Sequence, residues 1–368
     1  MHLHALDVHD FKSYASGAWT FSPSINSLVG PNGVGKTNLL DAIHHLCMGK
    51  SAFTKIDQQN IRHGQPFYRI RGRFWVEEGQ GETVLCAYEA SKKKTLKRGD
   101  KAYERISDHL GYMPVVLMAP SDTDLVREGS DLRRKYFDSM LGQLHKPYLQ
   151  QLIRHQAALK QRNALLKQFA EFNALDADLL QPYDDILLKE GQQIARQREE
   201  ALKRFIPIFQ KHYQALSQQM EEVSLNYQTD ALKEDFQEVF EQAREKDLQL
   251  KYTTKGIHRD DFNFLIGGYP LKKFGSQGQQ KTFVVALKLA QFDFMEEACG
   301  RKPLLLMDDI FDKLDERRMG KLLELLAQGH FGQVFLTDAR PERTRSLIEP
   351  LDAEVKVFDI LGRLKKQP

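Results

Sequence analysis

Nine residues near the start of the chain restrict its fold more than any other segment: Gly30, Pro31, Asn32, Gly33, Val34, Gly35, Lys36, Thr37 and Asn38. The first eight match G-x-x-x-x-G-K-[ST]. A β-rich run, Ile25–Val29, precedes them, and a helical pattern, Asn38–Met48, follows. Glycines let the backbone curl so that successive N–H groups point inward at phosphate oxygens. The helix start adds its positive end. In such a strand–loop–helix unit the lysine reaches the β- and γ-phosphates and the threonine hydroxyl meets Mg²⁺. The segment therefore predicts ATP and Mg²⁺ as ligands, with Lys36 catalytic and Thr37 on the metal.

A phosphate loop of this kind calls for a carboxylate at the end of a neighbouring strand. Leu304-Leu305-Leu306-Met307-Asp308-Asp309 supplies one: an apolar run long enough for a buried strand, with acids emerging where α/β sheets place ligands. Asp308 is expected to hold Mg²⁺. Asp309 is expected to orient the attacking water, as the second catalytic group. By itself the segment also fits a core strand that ends in an acidic turn.

The rest of the chain arranges itself around these two segments. Tyr68–Val76, Thr83–Ala90 and Val115–Met118 read as strands. From Asp131 to about Leu250 the pattern is helical. Leu149, Leu152, Ile153, Leu159, Leu166 and Phe169 form one stripe; Ile186, Ile194, Leu202, Phe205 and Phe209 form another. Pro182 and Pro207 are expected to break the second. After Lys251 the α/β character returns, with strands at Phe262–Ile266, Leu304–Met307, Val334–Thr337 and Val355–Phe358 and a helix over Gln277–Cys299. The expected plan is an α/β head made from both chain ends, residues 1–125 and 251–368, around a helical lobe at 126–250. A long coiled coil is excluded, because it needs many sustained heptads.

Composition sets the remaining bounds. With 53 basic and 50 acidic residues the formal charge is +3, so any basic surface must be local. The three cysteines have no metal or disulfide spacing, which suits a reducing compartment. No run reaches the ~18 apolar residues of a membrane span, and the first twenty residues do not make a signal peptide. The reading is a cytoplasmic protein with no membrane partner.

One further motif narrows the class. Phe274-Gly275-Ser276-Gln277-Gly278-Gln279-Gln280-Lys281 precedes the Gln277–Cys299 helix. Ser276 and Gln279 have the spacing of a capping box. The segment also resembles the signature motif of ABC-type ATPases, where Ser276, Gly278 and Gln279 would meet the γ-phosphate held by a second subunit. Asp308 follows Ser276 by 32 residues, and Leu314-Asp315 resembles the D-loop. Ser276 follows Lys36 by 240 positions, far more than in a transporter ATPase.

Taken in order, several segments resemble the RecF family, which belongs with the SMC-like repair ATPases. They are Phe11-Lys12-Ser13-Tyr14, the phosphate loop with Leu39-Leu40-Asp41-Ala42-Ile43, Arg133-Arg134-Lys135-Tyr136-Phe137-Asp138 and Gln161-Arg162-Asn163-Ala164-Leu165-Leu166-Lys167. The set continues through Gly256-Ile257-His258-Arg259-Asp260-Asp261, Ser276–Lys281 and Asp308–Asp315. The resemblance covers nearly the whole chain. It implies an ABC-type P-loop ATPase head with a compact helical insertion. It further implies an ATP-dependent homodimer that binds DNA at gaps or duplex junctions and helps load recombinase with RecO and RecR. Two departures from the wider ABC pattern stand out: no glutamine follows the Val115–Pro120 segment, and Thr337 occupies the place of a switch histidine. Slow turnover is the corresponding expectation.

Candidate DNA contacts are Lys92, Lys93, Lys94, Lys97 and Arg98, in a hairpin around Gly99 that also carries Lys101, and Arg133 and Arg134 at the start of the insertion. Lysine and arginine neutralise phosphates without reading sequence, although a solvated surface has the same composition. His44 and His45 read as ordinary helix residues. Asp260 and Asp261 suit either an acid/base pair or a structural turn, and His258 has no derivable role. Two other function classes exist. A small-molecule kinase would leave Ser276–Gln280 idle, and a non-hydrolysing adaptor would use ATP only as a bridge.

Overall fold

The computed structural model describes residues 1–77, 80–172, 176–217, 221–310, 316–348 and 353–364. Along the chain the strands are β1 (His2–Phe11), β2 (Tyr14–Thr20), β3 (Ile25–Val29), β4 (Phe67–Glu77), β5 (Gln80–Glu89), β6 (Thr95–Arg98), β7 (Lys101–Ala102) and β8 (Val115–Met118). Then follow β9 (Val223–Gln228), β10 (Asp261–Ile266), β11 (Tyr269–Pro270), β12 (Leu304–Met307), β13 (Val334–Asp338) and β14 (Val355–Asp359). Two units emerge. One comprises Met1–Thr123, Ala215–Gln218 and Lys281–Pro368; the other comprises Asp124–Gln214 and Gln219–Gln280.

In the first unit β14, β3, β13, β12 and β8 form a parallel sheet in that order. Every residue of β3, β12 and β13 is buried, as a sheet covered on both faces requires. Asn26 on β3 is satisfied locally: its side chain accepts from the Ser22 amide and donates to the Ser22 carbonyl, both at 2.8 Å. The register aligns Val29 with Asp338 and Leu336 with Met307, so the loops after β3, β13 and β12 leave the sheet at one edge.

A second sheet in this unit is antiparallel, in the order β2-β1-β4-β5-β6-β7. Alternation is clearest on its strand β4. On β4, Tyr68, Ile70, Gly72 and Phe74 are buried while Arg69, Arg71 and Arg73 are exposed. Helix α1 (Lys36–Met48) contacts strands of both sheets. Leu39, Leu40, Ile43 and Leu46 join Leu6, Phe74, Leu304 and Phe335 in one apolar core. That core is what seats the start of α1.

The second unit is mainly helical, with long helices at Ser130–Leu144, Lys146–Phe172 and Ala177–Ser217. Two expectations change here. Helix Ala177–Ser217 runs for 41 residues straight through Pro182 and Pro207. Leu202, Phe205 and Phe209 are buried on either side of Pro207, and that apolar burial outweighs the ~3 kcal/mol penalty of an internal proline. The unit is also not helical throughout, because β9 pairs antiparallel with β10 over six registered residue pairs. This pairing carries the unit past residue 250, to Gln280.

The interior of this unit is unusually polar. Arg162 is fully buried. Its Nε donates to Asp184 at 2.5 Å, and its Nη1 donates to Asp247 at 2.6 Å and to Thr253 at 2.8 Å. Arg198 is almost as deep and joins Asp138 at 2.9 Å to Asp260 at 2.9 Å. Buried ion pairs are weak sources of net stability, but removing one partner strands the other. Arg162→Met should therefore destabilise the protein by about 3–5 kcal/mol, read as a lower midpoint in urea unfolding. An unchanged midpoint would show that Asp184 and Asp247 tolerate the loss.

Candidate functional site

The loop after β3 combines several conformations that only glycine adopts easily. Gly30, Gly33 and Gly35 have φ of 147°, 81° and 104°. At Gly35 a side chain would also collide: an added Cβ would lie 2.8 Å from Ser13 Oγ and 3.1 Å from Tyr14 Oη. The Tyr14 hydroxyl donates to the Gly35 carbonyl at 3.0 Å, and Asn38 Nδ2 donates to Ser13 Oγ at 2.8 Å. The β1–β2 turn thus clamps the start of α1. Gly35 caps that helix without a side-chain bond, so the first-turn amides keep their donor capacity for an anion.

Lys36 is buried. Its ammonium donates to the carbonyls of Gly30 (2.8 Å) and Pro31 (3.1 Å), folding the side chain back over the loop. One residue on, the Thr37 hydroxyl donates to Asp308, with its oxygen 2.9 and 3.0 Å from the two carboxylate oxygens. From β13 the Thr337 hydroxyl donates to Asp308 Oδ1 at 2.9 Å and accepts from the Asp309 amide at 2.9 Å. Burial raises the Asp308 pKa, opposed by the hydrogen bonds from both threonines. Asp309 takes φ of 45°, a left-handed conformation unusual for a residue other than glycine. The Thr337 contact to its amide helps hold it there.

These distances bring Lys36, Thr37, Asp308 and Asp309 to one sheet edge. The hydroxyl of Thr37 and the carboxylate of Asp308 are hard oxygen donors side by side, the set Mg²⁺ takes when phosphates supply further ligands. The residues therefore fit the ion. In the sequence Thr337 is marked only by standing where a switch histidine is expected. Its hydroxyl links both acids, a role that β-strand register alone could not reveal.

Ser276 and Gln279 form a reciprocal capping box. The Ser276 amide donates to Gln279 Oε1 at 2.6 Å, and the Gln279 amide donates to Ser276 Oγ at 3.2 Å. Ser276 is exposed and Gly278 half-buried. Gln279 also donates to Glu221 at 2.6 Å. Leu314 and Asp315 lie outside the described residues.

The basic candidates divide. Arg133 makes a bidentate pair with Asp261 (2.8 and 3.0 Å), and Arg134 donates to the Asp260 carbonyl at 2.6 Å. Both are engaged within the helical unit in this structure. Lys94 pairs with Asp57 at 2.6 Å and Lys92 with Glu89 at 2.8 Å. Arg98 stacks on Tyr112, 4.3 Å from its ring centre. Lys93 reaches the Glu104 carbonyl at 3.5 Å. Lys97 is exposed. Asp260 receives Arg198 and the Tyr227 hydroxyl, a structural role rather than an acid/base pair with Asp261. His258 is half-buried: Nε2 faces the Thr253 carbonyl at 2.9 Å, and desolvation lowers its pKa to about 4.

A family model described as RecF/RecN/SMC N terminal domain matches residues 2–63. The DNA replication and repair protein RecF of Flavobacterium johnsoniae is 45% identical over 360 residues, spanning 98% of this chain and 100% of that protein. A solved structure of the recombination mediator protein RecF-ATPrS in the RecFOR pathway superposes with TM-score 0.87 at 26% identity, covering 98% of this chain and 96% of that one. An Smc head bound to the C-winged helix domain of ScpA is more distant, at TM-score 0.54 and 15% identity over 93% of this chain and 90% of that one, and shares the fold.

The crowding at Gly35 has a direct consequence. Gly35→Ala should cost about 1–3 kcal/mol through backbone strain alone, whereas Gly320→Ala, in open space within helix Glu316–Ala327, should stabilise by up to about 1 kcal/mol. Paired denaturation curves of the two variants check this; equal midpoints would contradict it.

Proposed function

The chain belongs to the RecF family of DNA replication and repair proteins, and from that premise we propose that it is a slow, ATP-gated DNA clamp. Two copies join through ATP, bind DNA at gaps or duplex junctions, and act with RecO and RecR in the cytoplasm to load recombinase. Hydrolysis then releases the dimer. The observation that carries this reading is the convergence of Thr37, Asp308 and Thr337 beside the loop lysine, 2.9 Å apart at each hydroxyl–carboxylate contact. A solved relative described with ATPrS supports the choice of nucleotide. Among the described residues no helix is long and apolar enough to cross a membrane.

Each residue has a task in this scheme. Loop and first-turn amides between Asn32 and Asn38 cradle the phosphates. Lys36 exchanges the loop carbonyls for the β- and γ-phosphates. Thr37 and Asp308 hold Mg²⁺, which when bound offsets the negative charge of the phosphate oxygens. Asp309 orients water for attack. The exposed Ser276 hydroxyl and the amides of Gly278 and Gln279 close on the γ-phosphate held by the other copy. Ligand binding to the joined state only shifts the monomer–dimer equilibrium toward it.

Sedimentation with and without ATP tests the scheme. Ser276→Arg should bind ATP yet remain monomeric, and a dimer of that variant at saturating ATP would overturn the reading. Lys36→Met should lose nucleotide binding itself. Asp309→Asn should bind ATP and dissociate at least tenfold more slowly, about 1.4 kcal/mol in barrier; unchanged release would remove Asp309 as the group that positions water.

A further inference from the structure

The outward face of the antiparallel sheet carries an arginine row that the nucleotide site does not use. Arg69, Arg71 and Arg73 are all exposed on β4, on the face opposite the buried Tyr68, Ile70 and Phe74. Among the described residues none of the three has an ion pair or a side-chain hydrogen bond, in contrast to the engaged Arg133, Arg134, Arg162 and Arg198. Cross-strand register extends the row. Arg71 pairs with Leu85 and Leu85 with Lys97, so Lys97 shares this face. Arg98 alternates to the other side, where it stacks on Tyr112.

The neighbours of the row are mixed, with Leu85 and Asp7 on either side of Arg71 and His9 beside Arg69, and small residues elsewhere. Ala5 stands beside Arg73, and Ala87 beside Arg69. Ser16, Gly17 and Ala18 of β2 line a shallow groove of about 600 Å³ with Arg69 and Arg71. Two acids share the face: Asp7, in register with Arg71, and Glu89 at the rim, which Lys92 engages at 2.8 Å. The balance remains positive. A protein-binding surface would centre on aromatic and other large apolar side chains, whereas here Leu85 and His9 are the larger groups in the groove and Phe67 and Trp75 stand at the two ends of the row, so that the guanidiniums dominate its middle.

We infer that this face is the phosphate-binding surface for DNA. Alternate residues of an extended strand lie about 7 Å apart, close to the separation of neighbouring phosphates along one nucleic-acid strand. Three guanidiniums at that interval, each free to donate two parallel hydrogen bonds, meet consecutive phosphates. The small residues Ser16, Gly17 and Ala18 of the groove leave room for a polynucleotide backbone to approach. Nothing in the row reads bases, so binding is indifferent to sequence. The inference rests on the DNA-binding reading above and specifies its surface.

Fluorescence anisotropy of labelled gapped duplex DNA, titrated with the full-length protein and ATP across a salt series, tests this. Arg69→Gln/Arg71→Gln/Arg73→Gln should lower the slope of log K against log salt by about 2.7, from about 0.9 per lost phosphate contact. The corresponding triple lysine variant should keep most of the slope. Single Arg71→Gln, the mildest change, should lower it by about 0.9. Unchanged ATP-dependent sedimentation of each variant separates a surface effect from misfolding. If wild type binds DNA and the glutamine variants keep its slope, the face is not the DNA surface while the clamp reading stands. If wild type binds no DNA at all, both fall. Normal DNA binding with lost capture of an acidic protein would assign the face to protein and also overturn the inference.

Discussion

One buried carboxylate organises the head. Asp308 ends a strand of the parallel sheet and takes hydrogen bonds from Thr37, on the helix after β3, and from Thr337 on β13. An uncompensated carboxylate in that position would be costly, so the two hydroxyls meet a need that exists before any ligand arrives. They also tie three separate chain segments into one arrangement. The same contact that satisfies Asp308 places Thr37 beside an acid, the pair a divalent ion requires. Satisfying the resting fold and preparing the site are here one requirement.

Much of this was visible in the amino-acid order because it is local. The glycine-lysine-threonine loop, the apolar run before Asp308 and the Ser276–Gln279 cap each declare themselves within a dozen residues. The helix over Gln277–Cys299 and the strand Leu304–Met307 have the predicted ends. What stayed hidden is non-local. Strand β9 is short and half polar, and sits beside long helical stretches; its alternation of Val223, Leu225 and Tyr227 gains meaning through pairing with β10. Pro207 suggests a helix end until the burial of Phe205 and Phe209 is counted. Arg133 and Arg134 look like surface cations until Asp260 and Asp261 are placed beside them.

The helical unit shows a different economy of charge. Arg162 and Arg198 each gather carboxylates from distant points of the chain in a largely buried setting. Such groups contribute little net free energy, yet they penalise every packing that fails to reunite them. A lobe of long helices can slide in register along its apolar stripes. Directional bonds from a planar guanidinium remove that freedom.

The position of β3 has a consequence for how the molecule is made. Its two sheet neighbours, β13 and β14, are synthesised more than 300 residues after it. The loop-closure cost rises only slowly with such a separation, but the delay in time is real. Until the C-terminal segment leaves the ribosome, an interior strand whose five residues are all buried in the native sheet has no partner on either side. Early chaperone protection of the nascent N-terminal segment, and slow late acquisition of the native head, follow from this strand order.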